Sequence, residues 1–582
     1  MERASESGSK NILIITAVVC IAVLLRFLGL GSSSLTMNEA ENALAALHYF
    51  ENGGSGLLYS LPTAVFFKAF GSSEFSARFI PAAAGVLLSV LPFFLRRKIG
   101  YKRAWVLSFL LAVDPVLLFW SKRADAVIPS LAMLGLAAVL WFHRKHTSAL
   151  ACFLISLCGG ERILPFVCIV VLCCVFSTLF RIRRISFTSF LRFRKQDLFL
   201  ALLFFLLFCT AFGTFPGGLG GFGSGIVNSF RRGAAWVYPG AAAELTAVVL
   251  YCGIPLICIM IRSMKEGKIP ALLLSIAGMA GLLLWHGIIM LPWISLLLWI
   301  QASDMPVIIL ERVKGPFDFP FFMTAFVIAG AWSFFYFRLV ELFKPNNGNE
   351  PIQITWNGAV QTLPLTHFGG TVLLTVISLI ILGLIIRILL GFVDSVSIRR
   401  GMLCGLLVIL SWGLITGVWN AGGFDREGDH PLRYHPKNTA AILNGAYCSY
   451  TDTAFFEHFK ETVLKHGDKK NVAYGLNFIV NDPMADWFLR DYPGFQSTAN
   501  ANADPTGVEM ILDQNGISYE TYGFVRADST WRGTMDWTRF TFRDWGRWVI
   551  FGDGAPVLDI PVTLWARIEN VFYNDLQLME RE

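Results

Sequence analysis

The sequence predicts a polytopic α-helical membrane protein that ends in a water-facing α/β domain. Hydrophobic residues make up 55% of the 582 residues and charged residues 15%, with a mean hydropathy of +0.57. An ordinary soluble domain carries about 25% charged residues. Residues 1–420 hold 33 Lys and Arg against 18 Asp and Glu, whereas residues 421–582 hold 15 against 23. We therefore predict a basic membrane domain over 1–420 and an acidic domain over 421–582.

The membrane domain is predicted to cross the bilayer about 13 times. A spanning helix needs about 20 mostly apolar residues. The apolar runs, several of them short, are Asn11–Leu30, Phe75–Leu95, Ala104–Trp120, Ala126–Phe142, Ser148–Leu157, Ile163–Phe180, Asp197–Gly213, Ala242–Ile261, Pro270–Trp285, Gly287–Ile300, Phe321–Phe337, Gly369–Leu390 and Met402–Asn420. Asp114 precedes Pro115 deep in the third run, which predicts a helix kink with a paired acid.

The distribution of basic residues predicts the orientation in the membrane. With the N-terminus inside, alternate turns place 23 Lys and Arg on the inner side and about 7 on the outer side. Cytoplasmic loops carry such an excess. We expect a multi-pass protein of the cytoplasmic (plasma) membrane, with the acidic domain outside. Arg26 interrupts the first run and no small-residue cleavage site follows, so this run is not predicted to be a signal peptide.

The first outer segment, at about 35–70, is predicted to form two short helices. Leu35–Glu51 has an amphipathic pattern, and Leu57–Phe70 is more apolar but too short to span. Two such helices in the interface would form a re-entrant shelf of substrate size. The alternative is a loop that packs against the helix bundle. Farther along, the glycine-rich run Gly217–Gly225 lacks the pattern of a nucleotide-binding loop, so we expect a flexible outer loop there.

Three carboxylates, Glu39, Asp125 and Glu161, are predicted at the same depth on the outer side. Acidic residues near a membrane are costly and usually functional. One carboxylate could deprotonate an acceptor, another could hold a divalent cation such as Mg²⁺ or Mn²⁺, and the nearby Arg123 and Arg162 could bind a phosphate. The alternative is that Arg123–Asp125 and Glu161–Arg162 are ion pairs at the interface.

Several motifs in this order resemble the GT-C superfamily of polytopic glycosyltransferases. Ser55–Tyr59 is similar to a Gly-Pro-Leu-Leu-Tyr motif, and Phe75–Arg78 (Phe-Ser-Ala-Arg) is the best single match, followed by Trp120–Asp125. Met290–Trp293 and the tail stretches Trp487–Tyr492 and Arg543–Trp548 resemble a narrower family. This narrower family is that of the archaeal and bacterial flippase activity-associated proteins, which are implicated in protein N-glycosylation.

The resemblance implies transfer of a sugar from a polyprenyl-phosphate donor to an acceptor protein or glycolipid on the extracytoplasmic face. It implies that Glu39 is a general base or metal ligand and that Asp125 is a metal or substrate ligand. Arg123, together with Arg78 or Arg162, would contact the phosphate. The remaining substrate contacts would come from Asn38, at the position where the family usually has Asp, and from Glu161.

Two other functions stay open at this point. Asn38 cannot act as a base, and the first outer loop is short, which suggests a catalytically inactive GT-C relative. Such a relative would bind a lipid carrier or act as a scaffold subunit of a membrane complex. A transporter or lipid flippase is disfavoured because the sequence shows no inverted repeat.

The acidic tail is predicted to alternate helices and strands. Helices are expected at Asp452–Lys465, Asp482–Asp491 and Val508–Gln514, and strands at Asn471–Gly475 and Ile517–Phe524. Seven Trp and Phe residues between 531 and 551 could dock the tail over the outer groove; the alternative is a core and interfacial anchor. The acidic balance argues against a nucleic-acid partner.

Overall fold

A computed structural model provides the fold. It describes residues 2–567 apart from 53–56, 160–162, 180–194, 214, 236–240, 268, 316, 344–350, 357–358, 392–395, 425, 428–429, 432–438, 445–448, 452–477, 481–482, 491–494, 498–509, 514–517, 536 and 552–556. The predicted helix Asp452–Lys465 and strand Asn471–Gly475 therefore lie outside the described residues.

The membrane domain is built from α-helices. In chain order they are α1 Glu2–Phe27, α2 Met37–Leu47, α3 Tyr49–Asn52, α4 Leu57–Phe70, α5 Glu74–Phe94, α6 Arg96–Ile99, α7 Tyr101–Val113, α8 Pro115–Ser121, α9 Val127–Phe142, α10 His146–Ser156, α11 Ile163–Leu179, α12 Lys195–Cys209, α13 Gly218–Ala235, α14 Ala241–Glu266, α15 Ile269–His286, α16 Leu291–Ala302, α17 Asp304–Val313, α18 Phe319–Phe343, α19 His367–Gly391 and α20 Val396–Gly422.

Within the described residues, five helices are long and apolar enough to cross a membrane. The number rises to seven if the bent pairs α7–α8 and α16–α17 each count as one span. Seven further apolar helical segments have 10–17 described residues, and several of them are parts of longer helices such as α1. The chain is a multi-pass membrane protein, and the number of 13 spans stays a prediction.

Helices α2 and α4 lie in the segment at about 35–70 that is predicted to be the first outer segment. The expected helix Leu35–Glu51 begins two residues later, because Thr36 and Glu39 make a reciprocal capping box at the start of α2. It also breaks at His48 before the short α3. Helix α4 has the predicted bounds Leu57–Phe70, and it packs against α2, α5 and the bundle.

The predicted kink at Asp114-Pro115 is present as a break between α7 and α8, whose axes differ by 55°. Proline lacks an N–H group and so removes a helical hydrogen bond at this point. The Asp114 side chain caps α8 by accepting from the Leu117 N–H at 2.6 Å. Helix α8 is buried over its whole length in the main core, beside α16.

The glycine-rich run Gly217–Gly225, expected as a flexible loop, lies largely in helix α13. A Cβ atom at Gly218 would lie 1.9 Å from the carbonyl oxygen of Cys209. A glycine is therefore required where α13 approaches the end of α12. Gly218 thus permits the close approach of α13 to α12, whereas a Cβ atom at Gly220 or Gly223 would meet nothing within 4 Å.

Strands appear in two places. A hairpin of β1 (Pro351–Trp356) and β2 (Ala359–Thr366) joins α18 to α19. In the tail, β3 (Arg426–Glu427) pairs with β4 (His430–Pro431). A mixed six-stranded sheet has the order β5-β9-β10-β8-β6-β7, with strands β5 Ser449–Thr451, β6 Phe478–Val480, β7 Phe495–Ser497, β8 Met510–Asp513, β9 Phe524–Met535 and β10 Val557–Arg567.

The tail helices are α21 (Pro483–Leu489) and α22 (Phe542–Phe551). A helix begins at Pro483 as predicted, because Pro is favoured at the first helical position. The predicted helix Val508–Gln514 was wrong: residues Met510–Asp513 form strand β8, which pairs with β6 and β10. The predicted strand Ile517–Phe524 is replaced by a 3-10 turn, and β9 starts at its last residue.

The tail contacts the membrane domain through α21. Trp487 Nε1 donates to Glu74 Oε1 at 3.0 Å, and Arg490 Nη2 donates to the Ser72 carbonyl oxygen at 2.8 Å. Helix α21 also packs against α2. A second anchor is the 3-10 turn Thr439–Asn444, whose apolar side chains enter the main core. Trp537 and Trp548 of the aromatic stretch join the same core.

Candidate functional site

The centre of the site is the carboxylate of Glu39, which is completely buried in the first turn of α2. Its Oε1 accepts from Arg78 Nε at 2.9 Å and from the Ala124 N–H at 3.0 Å. Its Oε2 accepts from the N–H and the hydroxyl of Thr36, both at 3.0 Å, and from Arg78 Nη2 at 3.2 Å. One side chain thus joins α2, α5 and the loop after α8.

This environment keeps Glu39 ionised. Burial raises the pKa of the carboxyl, but the charge and hydrogen bonds of Arg78, the charge of Arg123 and the Thr36 N–H together lower it to about 2. A carboxylate with this pKa is a poor proton acceptor at neutral pH, because a general base works best with a pKa near the operating pH.

Arg78 is equally enclosed. Besides Glu39, its guanidinium donates to the carbonyl oxygens of Leu30 (3.1 Å), Ser33 (2.6 Å) and Ser34 (2.6 Å). All three of its nitrogens are therefore engaged within the chain, and the side chain is 0% exposed. Arg78 holds the segment that connects α1 to α2, and its donors face protein rather than an open surface.

The loop Lys122–Ala126, between α8 and α9, is tied down on several sides. The Ala124 N–H donates to Glu39, and the Ala124 carbonyl accepts from Asn42 Nδ2 at 2.9 Å. Lys122 Nζ donates to the carbonyl oxygens of Leu28 and Gly422, both at 2.8 Å. The loop is thereby connected to the ends of α1, α2 and α20.

Arg123, in this loop, is a buried cation with unused donors. It is 2% exposed, its guanidinium lies 4.6 Å from the centroid of the Trp120 ring, and its charge acts on Glu39. Its Nε and Nη1 have no hydrogen-bond acceptor among the described residues. A buried polar group without a partner is costly and calls for an explanation. An anion that accepts from both nitrogens would provide one.

Asp125 is the second carboxylate of the site and is 5% exposed. Its Oδ1 accepts from the Val127 N–H at 3.3 Å, at the start of α9. The charges of Glu39 and Asp125 both act on the phenol of Tyr59, whose OH donates to the Ala77 carbonyl at 2.9 Å. Burial raises the pKa of Tyr59 above its usual value, so the phenol stays protonated.

A polar cluster below the loop fixes α8. Asp114 Oδ2 accepts from Ser295 Oγ (2.8 Å) and Trp299 Nε1 (2.6 Å) of α16. Arg26 donates to the carbonyl oxygens of Leu111 and Ala112, both at 3.0 Å. The Leu111 carbonyl lost its helical donor because residue 115 is proline. Arg26 was not predicted to be a structural partner, although a basic residue inside an apolar run is a signal of such a role.

The structure brings four predicted site residues together: Glu39, Arg78, Arg123 and Asp125. Asn38 is on α2 beside them, but its side chain is exposed. Glu161 and Arg162 lie outside the described residues. Tyr59, quoted only as part of a motif, was missed as a member of the site.

The donors around Glu39 do not suit a divalent cation. Both of its oxygens accept hydrogen bonds, and the guanidinium of Arg78 occupies the position that a metal would take. In the part of the chain that the structure describes, no group of three or more His, Cys, Asp or Glu side chains could hold a metal ion. We therefore derive no metal-dependent step from Glu39.

Comparison with known proteins gives only a distant likeness. No family model and no curated protein matches the chain. The chain is similar to the crystal structure of ArnT from Cupriavidus metallidurans bound to undecaprenyl phosphate, with 12% identity, a TM-score of 0.48, and coverage of 96% of this chain and 98% of that one. For the apo state of the same protein the values are 13%, 0.47, 89% and 94%. We rest no argument on a likeness of this size.

Proposed function

We propose that this chain is a membrane glycosyltransferase of the GT-C type, which takes a sugar from a polyprenyl-phosphate donor on the extracytoplasmic face. The observation that carries the proposal is Arg123, a buried guanidinium with two nitrogens that have no acceptor among the described residues; its charge acts on Glu39, and it lies in the same loop as Asp125. A phosphate oxygen pair fits a guanidinium by two parallel, charge-assisted hydrogen bonds. The motifs around Arg78 and Arg123 point to the same class of enzyme.

The roles of the two carboxylates differ in this proposal. Glu39 is a positioning residue, because its oxygens are saturated with hydrogen bonds and its pKa is about 2. Asp125 is the candidate base, since it is in the same loop as Arg123. The bond between the sugar carbon and the phosphate oxygen breaks, and a bond to the acceptor forms. The polyprenyl phosphate leaves with the electron pair, and the acceptor proton passes to Asp125.

The membrane domain suits a donor with a long apolar tail. Helices α18, α19 and α20 expose many large apolar side chains, as expected of a surface that faces lipid. The site itself lies beside α2 and α4, the short helices of the first outer segment. A lipid phosphate at the membrane interface would place its charged head at the level of Arg123 while its chain stays in the bilayer.

The test is sugar transfer by the purified protein in lipid nanodiscs with polyprenyl-phosphate hexoses. Arg123→Ala should lower turnover at least about 100-fold, as expected when a donor to a developing anion is removed. Arg123→Lys should restore part of it, because the charge returns without the planar fork. The control Arg97→Ala, at an exposed arginine, should leave turnover unchanged. Full activity of Arg123→Ala would refute the proposal.

A second candidate function is a lipid-carrier-binding or scaffold subunit of a membrane complex without catalysis. It is favoured by the same geometry of Glu39, whose saturated carboxylate cannot serve as a base at neutral pH. Such a protein would bind polyprenyl phosphate through Arg123 but release no sugar. It would keep this binding when Asp125 is changed to Asn, whereas the enzyme would lose turnover.

A further inference from the structure

Two cysteines that lie far apart in the sequence meet at the ends of two neighbouring helices. Cys158 is in the 3-10 turn Leu157–Gly159 that follows α10, and Cys209 is the last residue of α12. Their sulfur atoms are 3.5 Å apart, and the two residues are 2% and 0% exposed.

The backbones that carry the two thiols are held in place from both sides. A Cβ atom at Gly159 would lie 1.6 Å from the hydroxyl of Ser130, so the turn is packed directly on α9. The carbonyl oxygen of Cys209 is similarly covered by Gly218 of α13. At the opposite ends of the same helices, Thr147 Oγ1 donates to Asp197 Oδ1 at 2.5 Å. The two helices therefore run side by side, and the two thiols face each other at one end of the pair.

The predicted orientation places this end outside. Helix α10 follows the basic turn Arg144-Lys145, and α12 begins at Lys195, so both helices start at the predicted cytoplasmic side. Disulfides form and persist on the outer side of the cytoplasmic membrane, where thiols meet oxidising conditions. The sulfurs must approach by about 1.5 Å to reach the usual S–S bond length of about 2.05 Å.

We propose that Cys158 and Cys209 are a modification site and form a disulfide in the mature protein. The oxidant is a disulfide donor, either a protein disulfide or a small molecule such as oxidised glutathione. Two S–H bonds and the S–S bond of the donor break. The Cys158–Cys209 bond forms, and the donor leaves as two thiols. Because both sulfurs are buried, the bond forms while α12 docks against α10.

The disulfide would link the ends of α10 and α12 where they pack against the helices α3 and α4. Cys158 and Cys209 belong to a cluster of buried apolar residues that includes Tyr49, Leu57 and Leu61, so they pack against α3 and α4. The bond would join α10 to α12 across a loop of 51 residues. This role does not depend on glycosyl transfer, and it holds whether or not the proposed activity is correct.

The test is a thiol map of the full-length protein. Membranes are quenched with acid, denatured and treated with N-ethylmaleimide, and peptides are identified by mass spectrometry before and after reduction. We expect nine of the eleven cysteines to react at once, with Cys158 and Cys209 reacting only after reduction. Cys252, a buried cysteine of α14, is the internal control and should react without reduction. Immediate alkylation of Cys158 and Cys209 would overturn the proposal.

Two further experiments test which cysteine pairs with Cys209 and whether the bond stabilises the fold. In Cys158→Ser, Cys209 should react without reduction; a Cys209 that stays blocked would mean a different partner and would also overturn the proposal. The wild type, reduced in denaturant and then refolded in the presence of oxidised glutathione, should re-form the same link. Reduction should then lower the midpoint of thermal unfolding of the wild type but not that of Cys158→Ser. Equal midpoints for the oxidised and the reduced wild type would contradict a fastening role.

Discussion

Replacing Glu39 by glutamine removes the charge that ties α2, α5 and the loop after α8 together. The amide has nearly the same shape, but it carries one acceptor oxygen and a donating NH₂ group. In the place of Oε1 that group would face the donors of Arg78 and Ala124, and in the place of Oε2 those of Thr36 and Arg78. The variant therefore leaves a buried guanidinium without its counter-charge, which is costly.

The magnitude follows from the pKa of Glu39. A pKa lowered from 4.5 to about 2 means that the fold stabilises the ionised carboxyl by about 3 kcal/mol relative to the neutral form. Breaking one partner of a buried ion pair costs a similar amount, about 3–5 kcal/mol. We expect Glu39→Gln to lower the free energy of unfolding by about 3 kcal/mol. Glu41→Gln, at an exposed position of the same helix, should change it by less than about 0.5 kcal/mol.

The assay is thermal unfolding in detergent between pH 7 and pH 2. The pKa of Glu39 is lower in the folded state, so the unfolded state takes up its proton first as the pH falls. The stabilisation by Glu39 is complete above about pH 4.5 and is lost between about pH 4.5 and pH 2. The difference in stability between wild type and Glu39→Gln should shrink over that window. Equal stability at pH 7, or a difference that does not depend on pH, would refute the reasoning.

Three further predictions concern the support of the site. Asp114→Ala should lower the free energy of unfolding by about 3–5 kcal/mol, because buried donors of α8 and α16 lose their acceptor. Chemical denaturation measures this change, and a loss below about 1 kcal/mol would contradict the prediction. Gly85→Ala should lower the free energy of unfolding by about 1–3 kcal/mol, since the new Cβ atom would lie 2.6 Å from Arg26 Nε. The control Gly253→Ala, whose Cβ atom would meet nothing within 4 Å, should be neutral or stabilising in the same assay. Arg123→Met should not destabilise the fold by more than about 1 kcal/mol, because two of its nitrogens have no acceptor among the described residues; a larger loss would indicate a structural role.

Local sequence patterns predicted the features that depend on short-range chemistry. The Asp114-Pro115 pair predicted the break between α7 and α8, because proline removes a donor whatever surrounds it. The bounds of α4 followed from an apolar run that ends before Gly71. Two observations identified the site residues: charged side chains predicted at the same depth in the membrane, and motifs that resemble a known family. The structure places four of these residues around one loop, namely Glu39, Arg78, Arg123 and Asp125.

Features that depend on long-range contacts were not accessible in this way. Met510–Asp513 has a pattern that suits either a helix or a strand, and its pairing with β10 decided in favour of a strand. The glycines of α13 predicted a loop, but they lie in a helix, and close contact with Cys209 requires one of them, Gly218. The sequence also could not show that the nitrogens of Arg78 all donate to groups of the chain, whereas two nitrogens of Arg123 have no acceptor among the described residues.

Binding of polyprenyl phosphate tests the central claim most directly. The protein in nanodiscs is titrated with a polyprenyl phosphate and with the uncharged polyprenol of the same chain length, for the wild type and Arg123→Ala. We predict that the wild type binds the phosphate at least about tenfold more tightly than the alcohol, as expected for a charge-assisted bidentate contact of about 1.5–3 kcal/mol. This preference should disappear in Arg123→Ala. Equal binding of the phosphate and the alcohol by the wild type, or a preference that survives the substitution, would contradict the account.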